Sequence, residues 1–496
     1  MNTRDDMASA ASSASPGDSE PSDRSGLTSR QSSPSASELS SSTSREKTPS
    51  VPIMEIGGRF VSAGGKDAGN LPRAHYKSKL SPLRYRLRKV ALPIVEWEAD
   101  FIAAIQNRMR HPWLDFYFAW TANLASHTFY VLLFPIPVWF GSSLVLRDMI
   151  YSVGFGIYCT GFLKDWLCLP RPRSPPLHRI TMSSYTTEEY GFPSSHSANA
   201  TSMTLIFLYR VIKYGQDWSN LAWYSAMAGL FVYYASLIVG RVYCGMHGFF
   251  DILSGVFVGW LVFAFRHYFG ETWDYFLFYY LPSGLLSVVL VTAICCALIH
   301  VYPEPADDCP CFDDAVAFVG VVIGMDITHN LTVRTDYLAR LNRFQDPYLM
   351  FYSYEQLGLL WSFMRVVVGV GGVALWKAVA KPVVFAILVP IYKWLQVWIP
   401  RANYKSVAHS RAKNTHIRRQ SASNIGGEEM EFLHDVTSHP HDQVGAPCKA
   451  GVFKPRYDVE IVGRLIIYAG IPIMAVWGFI FTSKYTGVAC IDFSLS

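Results

Sequence analysis

The sequence predicts an all-α protein, a polytopic bundle of transmembrane helices. Of its 496 residues, 51% are hydrophobic and only 16% are charged, well below the roughly 25% charged residues of a typical soluble domain. Apolar stretches of about twenty residues, long enough to cross a bilayer as a helix, recur from Phe118 onward. The net charge of +5 is modest and scattered, which argues against a nucleic-acid partner.

The two ends of the chain differ from its apolar middle. Residues 1–80 are rich in Ser, Pro and Gly and hold scarcely any aromatic residues, so we expect a disordered tail. Residues 81–112 place apolar side chains among Arg, Lys and Glu, which predicts an amphipathic helix on the membrane surface. Residues 401–458 predict a polar cytoplasmic loop, and residues 459–496 predict the last transmembrane helix with a C-terminal tail.

Apolar runs between these ends predict the individual spans. The region 113–270 holds the first group of spans, and the region 271–400 adds further transmembrane helices. A run at 315–325 is apolar but weaker than the others. The spans are expected at 113–140, 144–163, 196–212, 221–239, 249–269, 276–301, 357–376, 382–398 and 461–481.

Polar residues gather in three short segments at the ends of apolar runs, and we call these segments the polar islands. They comprise residues 164–172, 193–197 and 241–251. Basic residues outside the islands occur in loops that alternate with them along the chain. The positive-inside rule therefore places the islands on the non-cytoplasmic side. Counting spans backwards would place the N-terminal segment on the island side too, unless 113–140 contains an extra short crossing or the span count is off by one.

The third island pairs a histidine with a carboxylate. His247 and Asp251 are four residues apart, so on a helix they would share one face. A carboxylate in that position can hold one imidazole nitrogen and leave the other as a nucleophile. A helix-capping pair is the alternative interpretation.

The other two islands supply groups that suit an anion. Ser194 and Ser195 come just before an apolar helix, whose first N–H groups form a ready anion site. His196 could protonate a leaving oxygen there, although an N-cap and a core histidine would give the same pattern. Lys164 and Arg171 add two cations, for which interfacial anchoring is the alternative.

Together the islands favour phosphate chemistry without a metal or another cofactor. A phosphoryl group spreads negative charge over three oxygens in its transition state. Arg241 joins Lys164 and Arg171 as a third cation, and three cations with helix-terminal amides match that need. The islands contain no cluster of carboxylate or histidine ligands with metal-binding spacing.

The three motifs resemble the type 2 phosphatidic acid phosphatase superfamily. They read Lys-x6-Arg-Pro, Pro-Ser-x-His and Arg-x5-His-x3-Asp, in the family's order, and the resemblance covers 118–269. Two positions depart from the family pattern, because Ser195 replaces a glycine and Gly240 replaces a serine. Ser195 keeps its backbone N–H, so only the fine geometry is affected. The resemblance implies that 113–270 forms a catalytic lipid phosphatase core within a six-helix fold.

The sequence around the motifs is similar to sphingosine-1-phosphate phosphatases, especially the fungal long-chain base type. The similarity lies in 170–180, 189–201 and 240–247. It implies a metal-independent enzyme of the endoplasmic reticulum membrane, with a lumenal site, that removes phosphate from sphingoid base 1-phosphates through a phosphohistidine. The implied catalytic residues are His247, His196 and Asp251; the implied phosphate-binding residues are Lys164, Arg171, Ser194, Ser195 and Arg241.

Alternatives to this function stay open at the level of sequence. The islands bind only the phosphate, so a broader phosphatase acting on phosphatidate or isoprenoid diphosphates would use the same residues. A non-catalytic lipid-binding protein is a third possibility, although no catalytic group is missing. The sequence makes no prediction of oligomeric state. Ser421 follows a basic run, so its phosphorylation could dock the 401–458 loop; a solvated tether is the simpler interpretation.

Overall fold

The computed structural model describes residues 68–182, 188–307, 309–334, 352–395 and 456–489. Every regular element in these ranges is helical, which confirms the predicted all-α class. Five helices there are long and apolar enough to cross a membrane, as expected of a multi-pass protein. The expected disorder of most of the serine-rich tail and the regulatory hypothesis on Ser421 lie outside the described residues.

Two N-terminal helices cover the end of the bundle that carries the polar islands. They are α1, Arg73–Lys79, and α2, Pro82–Met109. Near the start of α2, Arg84 donates to the carbonyl of Trp166 at 2.8 Å, and near its end Gln106 donates to the carbonyl of Tyr243 at 2.8 Å. Helix α2 therefore lies across the first and third islands. Its location at a membrane surface stays a prediction.

The expected single span at 113–140 is wrong, because several short helices replace it. These are α3, Pro112–Thr121; a 3-10 turn, Ala122–Ala125; α4, His127–Leu133; and α5, Ile136–Trp139. The Ser126 hydroxyl caps a new helix by accepting from Phe129 N–H at 3.2 Å, and prolines interrupt the later part. The segment leaves the island end at His111, where its N–H donates to the Tyr243 hydroxyl at 3.1 Å. The N-terminal segment from residue 68 therefore lies at the island end.

Four long helices bring the islands together. They are α6, Ser143–Leu167; α7, Ser195–Tyr214; α8, Asn220–Tyr243; and α9, Phe249–Tyr275. Helices α7 and α9 pack very closely, because a Cβ atom at Gly255 would lie 2.3 Å from the carbonyl oxygen of Ser194. A Cβ atom at Gly259 would lie 2.2 Å from the carbonyl oxygen of Ala198. The two glycines thus allow the second and third islands to touch.

The remaining helices surround α11, which is the most buried of them. They are α10, Gly284–Val301; α11, Cys311–Arg334; α12, Tyr354–Trp394; α13, Val459–Ile473; and α14, Phe479–Thr486. The weaker apolar run at 315–325 is the middle of α11, which packs against α6 and α13. Beyond this run, α11 also carries the buried polar side chains of Asp326, His329 and Asn330 into the bundle.

The two spans expected at 357–376 and 382–398 are wrong, because one helix of 41 residues, α12, replaces most of both. The residues between the two runs read Lys-Ala-Val-Ala-Lys and include no turn former. Pro382 and Pro390 lie inside the helix, where each removes only one backbone hydrogen bond. The backbone leaves helical geometry only near the start, at Gly358, whose φ is 64°.

A network of ion pairs joins the core helices at the end opposite the islands. Asp274 accepts from Arg147 at 2.5 Å and from Arg266 at 2.6 Å. Asp148 accepts from Arg210 at 2.7 Å and from Arg266 at 3.0 Å. The network ties α6, α7 and α9 to one another. Two basic residues counted as cytoplasmic markers, Arg210 and Arg266, are therefore also structural partners of carboxylates.

Candidate active site

The structure brings the three islands into contact around His247. This histidine is 1% exposed and lies in the loop between α8 and α9. Arg171 follows α6 in the first island, and its Nη1 lies 3.0 Å from His247 Nε2. The same Nη1 donates to the carbonyl of Met246 at 2.9 Å. The first and third islands therefore meet at the imidazole.

The contact with Arg171 defines the tautomer of His247. A guanidinium group has only donors, so the Nε2 atom that faces it must act as the acceptor. The proton of the neutral ring is then on Nδ1, which lies 3.5 Å from Asp251 Oδ2. The lone pair on Nε2 points into the cluster of cations. A nucleophilic histidine requires a neutral ring with an unprotonated nitrogen, and this tautomer supplies it at Nε2.

The expected helical placement of the His247–Asp251 pair is wrong, although their side chains do approach each other. His247 precedes α9, whose N-cap is Gly248, and Asp251 is the third residue of that helix. Asp251 Oδ2 also accepts from the N–H of Gly248 at 3.0 Å. Asp251 therefore both caps the helix and faces the imidazole, so the two interpretations of the pair are compatible.

The electrostatic environment keeps His247 neutral. Burial lowers the pKa of His247 well below its ordinary value, and neighbouring positive charges lower it further. These charges belong to Arg171, Lys164 and Arg241, followed by His196. The imidazolium form is disfavoured in such a place, so Nε2 keeps its lone pair at neutral pH.

The second island forms the N-terminus of α7. The Ser194 hydroxyl caps this helix by accepting from the N–H of Ser197 at 3.3 Å, and Ser194 is fully buried. The Ser195 hydroxyl accepts from Lys164 Nζ at 3.3 Å, which joins the first and second islands. His196 is partly exposed and lines a cavity. Direct phosphate contacts of Ser194 and Ser195 stay predictions.

Arg241 approaches the same cavity from α8. Its guanidinium is buried, and its Nε has no hydrogen-bond partner among the residues that the structure describes. The carbonyl of Arg241 accepts from the N–H groups of Met246 and His247 at 3.0 Å and 3.3 Å. The turn that holds His247 is thus attached to the residue that supplies the third cation.

Sequence reasoning missed Glu189, which lies among the predicted cations. Its Oε2 accepts from Lys164 Nζ at 2.5 Å and lies 3.4 Å from Arg171 Nη2. Its carbonyl accepts from Arg171 Nε at 3.1 Å. The only sequence indication was an acidic residue four positions before Pro193 of the second island. Its partners could not be predicted, because they depend on how the loop between α6 and α7 folds back.

Glu98 of α2 is a second residue that the motifs did not indicate. It is 5% exposed, and its Oε1 accepts from the N–H of Phe250 at 2.9 Å. Burial raises the pKa of its carboxyl group. A Cβ atom at Gly248 would lie 2.1 Å from Glu98 Oε2, so a larger residue there would displace the Glu98 carboxylate. Glu98 therefore holds the first turn of α9, from which Asp251 faces His247.

A cavity of about 310 Å³ opens beside this cluster. Its polar wall includes Lys164, Glu189, Ser195, His196 and Arg241. Among the described residues, Arg171 and His247 lie behind this wall rather than in it. The lining also includes apolar residues, among them Ala119, Ala122, Ile157, Ile180 and Met182, and uncharged polar residues such as Asn123, Ser126 and Thr128. The cavity thus offers both charged groups and apolar surface to a ligand.

One group of side chains in the described residues could hold a metal ion. The ligand atoms of Asp165, Cys309 and Cys311 lie within 4.8 Å of one another and are buried. Two thiols and a carboxylate are donors that suit zinc. The group lies beside Lys164 in the chain and does not include His247, Arg171 or Arg241. Catalysis without a metal stays a prediction.

The fold and the site together define an integral-membrane enzyme that acts on a phosphate. Residues 145–275 match the PAP2 superfamily. A dihydrosphingosine 1-phosphate phosphatase of Saccharomyces cerevisiae is 37% identical over 86% of this chain and 93% of its own length. Another from Schizosaccharomyces pombe is 33% identical over 78% of this chain and 88% of its own length.

The similarity extends beyond fungi with lower coverage. Sphingosine-1-phosphate phosphatase 2 of Homo sapiens is 28% identical over 38% of this chain and 44% of its own length. No solved structure matches the chain. The chain belongs to the PAP2 superfamily and is a phosphatase, which confirms the predicted resemblance and the predicted enzyme class.

Replacing His247 should have a larger effect than replacing Asp251. His247→Ala removes the nucleophile, and we expect the turnover number to fall at least about 10³-fold. Asp251→Asn keeps the imidazole but weakens its orientation, so a smaller loss is expected, on the order of 10²-fold. The measurement is kcat on a lipid phosphate with protein that is monodisperse in detergent. Appreciable activity of a well-folded His247→Ala variant would remove this residue from the mechanism.

The pH dependence should respond to the cations around His247. Arg241→Gln removes a positive charge that disfavours the imidazolium, so the pKa of His247 should rise. Because only the neutral ring is nucleophilic, the acid limb of the kcat/KM profile should move to higher pH. The wild-type profile on the same substrate is the control, since ionisation of the phosphate ester is common to both. An acid limb that stays in place or moves to lower pH would contradict this effect of Arg241 on the pKa of His247.

Proposed function

We propose that the enzyme removes phosphate from long-chain sphingoid base 1-phosphates, such as dihydrosphingosine, phytosphingosine or sphingosine 1-phosphate. The substrate class is that of the fungal relatives, whose similarity extends over most of both chains. The observation that carries the chemistry is the neutral His247 imidazole with its Nε2 lone pair facing Arg171. This arrangement supports attack on phosphorus within a cluster of cations.

The first step forms a phosphohistidine. Arg171 Nη1 moves from His247 Nε2 to a phosphoryl oxygen, which frees the lone pair of Nε2. His247 Nε2 then attacks the phosphorus atom, and the bond between phosphorus and the ester oxygen of the lipid breaks. Lys164, Arg171 and Arg241 stabilise the charge on the three phosphoryl oxygens. A protonated His196 gives its proton to the departing oxygen, so the lipid leaves as a neutral alcohol. Asp251 stabilises the positive charge that develops on the imidazole ring.

The second step releases inorganic phosphate. His196, now neutral, accepts a proton from a water molecule, and the resulting hydroxide attacks the phosphorus atom. The bond between phosphorus and Nε2 breaks, and its electron pair returns to the imidazole. Each residue then has the protonation state with which it began. The same three cations serve both steps, because both transition states carry negative charge on the phosphoryl oxygens.

The cavity suits a single-chain lipid phosphate. Its charged lining residues include the cations Lys164 and Arg241, whereas the broken segment lines it with small residues such as Ala119 and Ala122. These small side chains would leave room for the alkyl chain of the substrate. The segment 113–140 thus contributes to the cavity from both sides of its break, through Ala119 and Thr128.

We place the enzyme in the endoplasmic reticulum membrane with its site facing the lumen. The support is the distribution of basic residues, which favours a cytoplasmic location for the loops that alternate with the islands. In this orientation α1 and α2 also lie on the lumenal side, because they contact the islands. Protease accessibility of a tag inserted before Arg73 in sealed microsomes tests the orientation.

Phosphate release by the purified protein tests the proposed function. We expect kcat/KM for a sphingoid base 1-phosphate to exceed that for phosphatidate and an isoprenoid diphosphate by at least about tenfold. Chelator should leave the rate unchanged, because three cations act where a metal would, and vanadate should inhibit as a mimic of five-coordinate phosphorus. A preference for phosphatidate or isoprenoid diphosphate would contradict the substrate class. Loss of activity with chelator and recovery with magnesium would contradict the metal-free chemistry.

A series of leaving groups tests His196 as the general acid. The alcohol of a sphingoid base is a poor leaving group, so its departure needs a proton, whereas nitrophenol departs without one. His196→Ala should therefore slow the first step by about 10²–10⁴-fold for the sphingoid substrate and much less for nitrophenyl phosphate. The measurement is the pre-steady-state burst of released alcohol. If the rate of the first step fell equally for the two substrates, His196 would only position the phosphate.

A further inference from the structure

A carboxylate occupies the middle of the site that the cations prepare for phosphate. Glu189 Oε2 lies 2.5 Å from Lys164 Nζ and 3.4 Å from Arg171 Nη2. The side chain of Glu189 is 12% exposed and lines the cavity, whereas the two cations are each 3% exposed. A phosphate that enters from the cavity therefore meets Glu189 before it reaches Arg171 and His247.

This carboxylate opposes the binding of a purely anionic ligand. A phosphate that binds Lys164 and Arg171 takes contacts that Glu189 now makes, and it places negative charge beside the carboxylate. The phosphate and the carboxylate would then be neighbours, and like charges close together repel strongly in a site shielded from water. The backbone of Glu189 is tied to Arg171 through its carbonyl at 3.1 Å, so the residue stays near the phosphate even when its side chain turns. A cation carried by the ligand itself would relieve this repulsion.

We propose that Glu189 forms an ammonium subsite next to the phosphate site. Its ligand class is a phosphate monoester that carries a protonated amine on the carbon beside the phosphate-bearing carbon. The proposal rests on the proposed function, because sphingoid base 1-phosphates have this structure. On binding, the phosphate takes over Lys164 and Arg171, and the carboxylate of Glu189 turns to the ammonium group of the same molecule.

The subsite would supply the selectivity that the cations lack. All lipid phosphates offer the same anion to Lys164, Arg171 and Arg241, so these residues do not distinguish between them. A phosphate without an amine places a second negative charge beside Glu189 and brings no positive charge to offset it, which disfavours that substrate. A substrate with a protonated amine pairs its phosphate with the cations and its ammonium group with Glu189. One residue therefore both favours the amine-bearing substrate and rejects the others.

The decisive experiment compares two substrates that differ at the amine, which is a charged ammonium group in one and a neutral amide in the other. These are a sphingoid base 1-phosphate and its N-acetylated analogue, which keeps the chain, the hydroxyl groups and the ester. We expect the wild type to prefer the amine by at least about tenfold in kcat/KM. In Glu189→Gln this preference should fall towards one, with a lower value for the amine and a higher value for the analogue.

Two matched variants serve as controls. Glu188→Gln changes an exposed neighbouring carboxylate, and it should keep the wild-type preference. Glu189→Asp keeps the charge on a shorter side chain, so it should retain part of the preference where Glu189→Gln loses it. If Glu189→Gln lowers kcat/KM for both substrates by the same factor, Glu189 only organises the cations and the proposal is wrong.

Anion binding gives a readout that does not depend on turnover. Because Glu189 opposes an anion, Glu189→Gln should bind vanadate at least about tenfold more tightly than the wild type, measured as a ligand-induced shift in melting temperature. Unchanged or weaker binding would contradict the repulsion. A wild type that hydrolyses both amine and N-acetyl substrates equally well would overturn the subsite and leave the phosphatase intact. A wild type that is inactive on sphingoid phosphates but active on other lipid phosphates would instead overturn the proposed function.

Discussion

The structure depends on keeping several positive charges together in a buried place. Lys164, Arg171 and Arg241 are each less than 5% exposed and surround one histidine. Two like charges 4 Å apart repel by about 4 kcal/mol at an effective dielectric constant of 20, several times the net contribution of an ordinary hydrogen bond. The cluster is therefore stable only if other groups offset this repulsion. Glu189 supplies a negative charge, and His247 contributes by staying neutral.

The rest of the fold keeps these groups in position from outside the cluster. Gly255 lets α9 approach the backbone of α7, so that the second and third islands touch. Helix α2 crosses above them, and its Glu98 holds the first turn of α9 through Phe250 N–H. At the opposite end, Asp148 and Asp274 tie α6, α7 and α9 together by ion pairs. The site is thus built by the meeting of helix ends, and no single helix contains it.

The sequence predicted the enzyme class and the clustering of its polar islands better than the arrangement of the helices. Motif spacing was enough to bring Lys164, Arg171, Arg241 and His247 together, because charged residues at the ends of apolar helices have few other places to lie. The prediction of helices from apolar runs failed where a continuous apolar pattern contains a break, as at 113–140. It also failed where two apolar runs join without a turn, as in α12. Glu189 could not be predicted, because a loop residue acquires its partners only when distant segments fold together.

The position of the phosphoryl group on the enzyme tests the central claim most directly. The contact with Arg171 assigns the lone pair of His247 to Nε2, so the account requires phosphorylation at that atom. The measurement is mass spectrometry of enzyme trapped during turnover of a sphingoid base 1-phosphate, combined with phosphorus NMR to distinguish the two ring nitrogens. The predicted result is a phosphoryl group on Nε2 of His247. A phosphoryl group on Nδ1, on another residue, or on no residue at all would contradict the account.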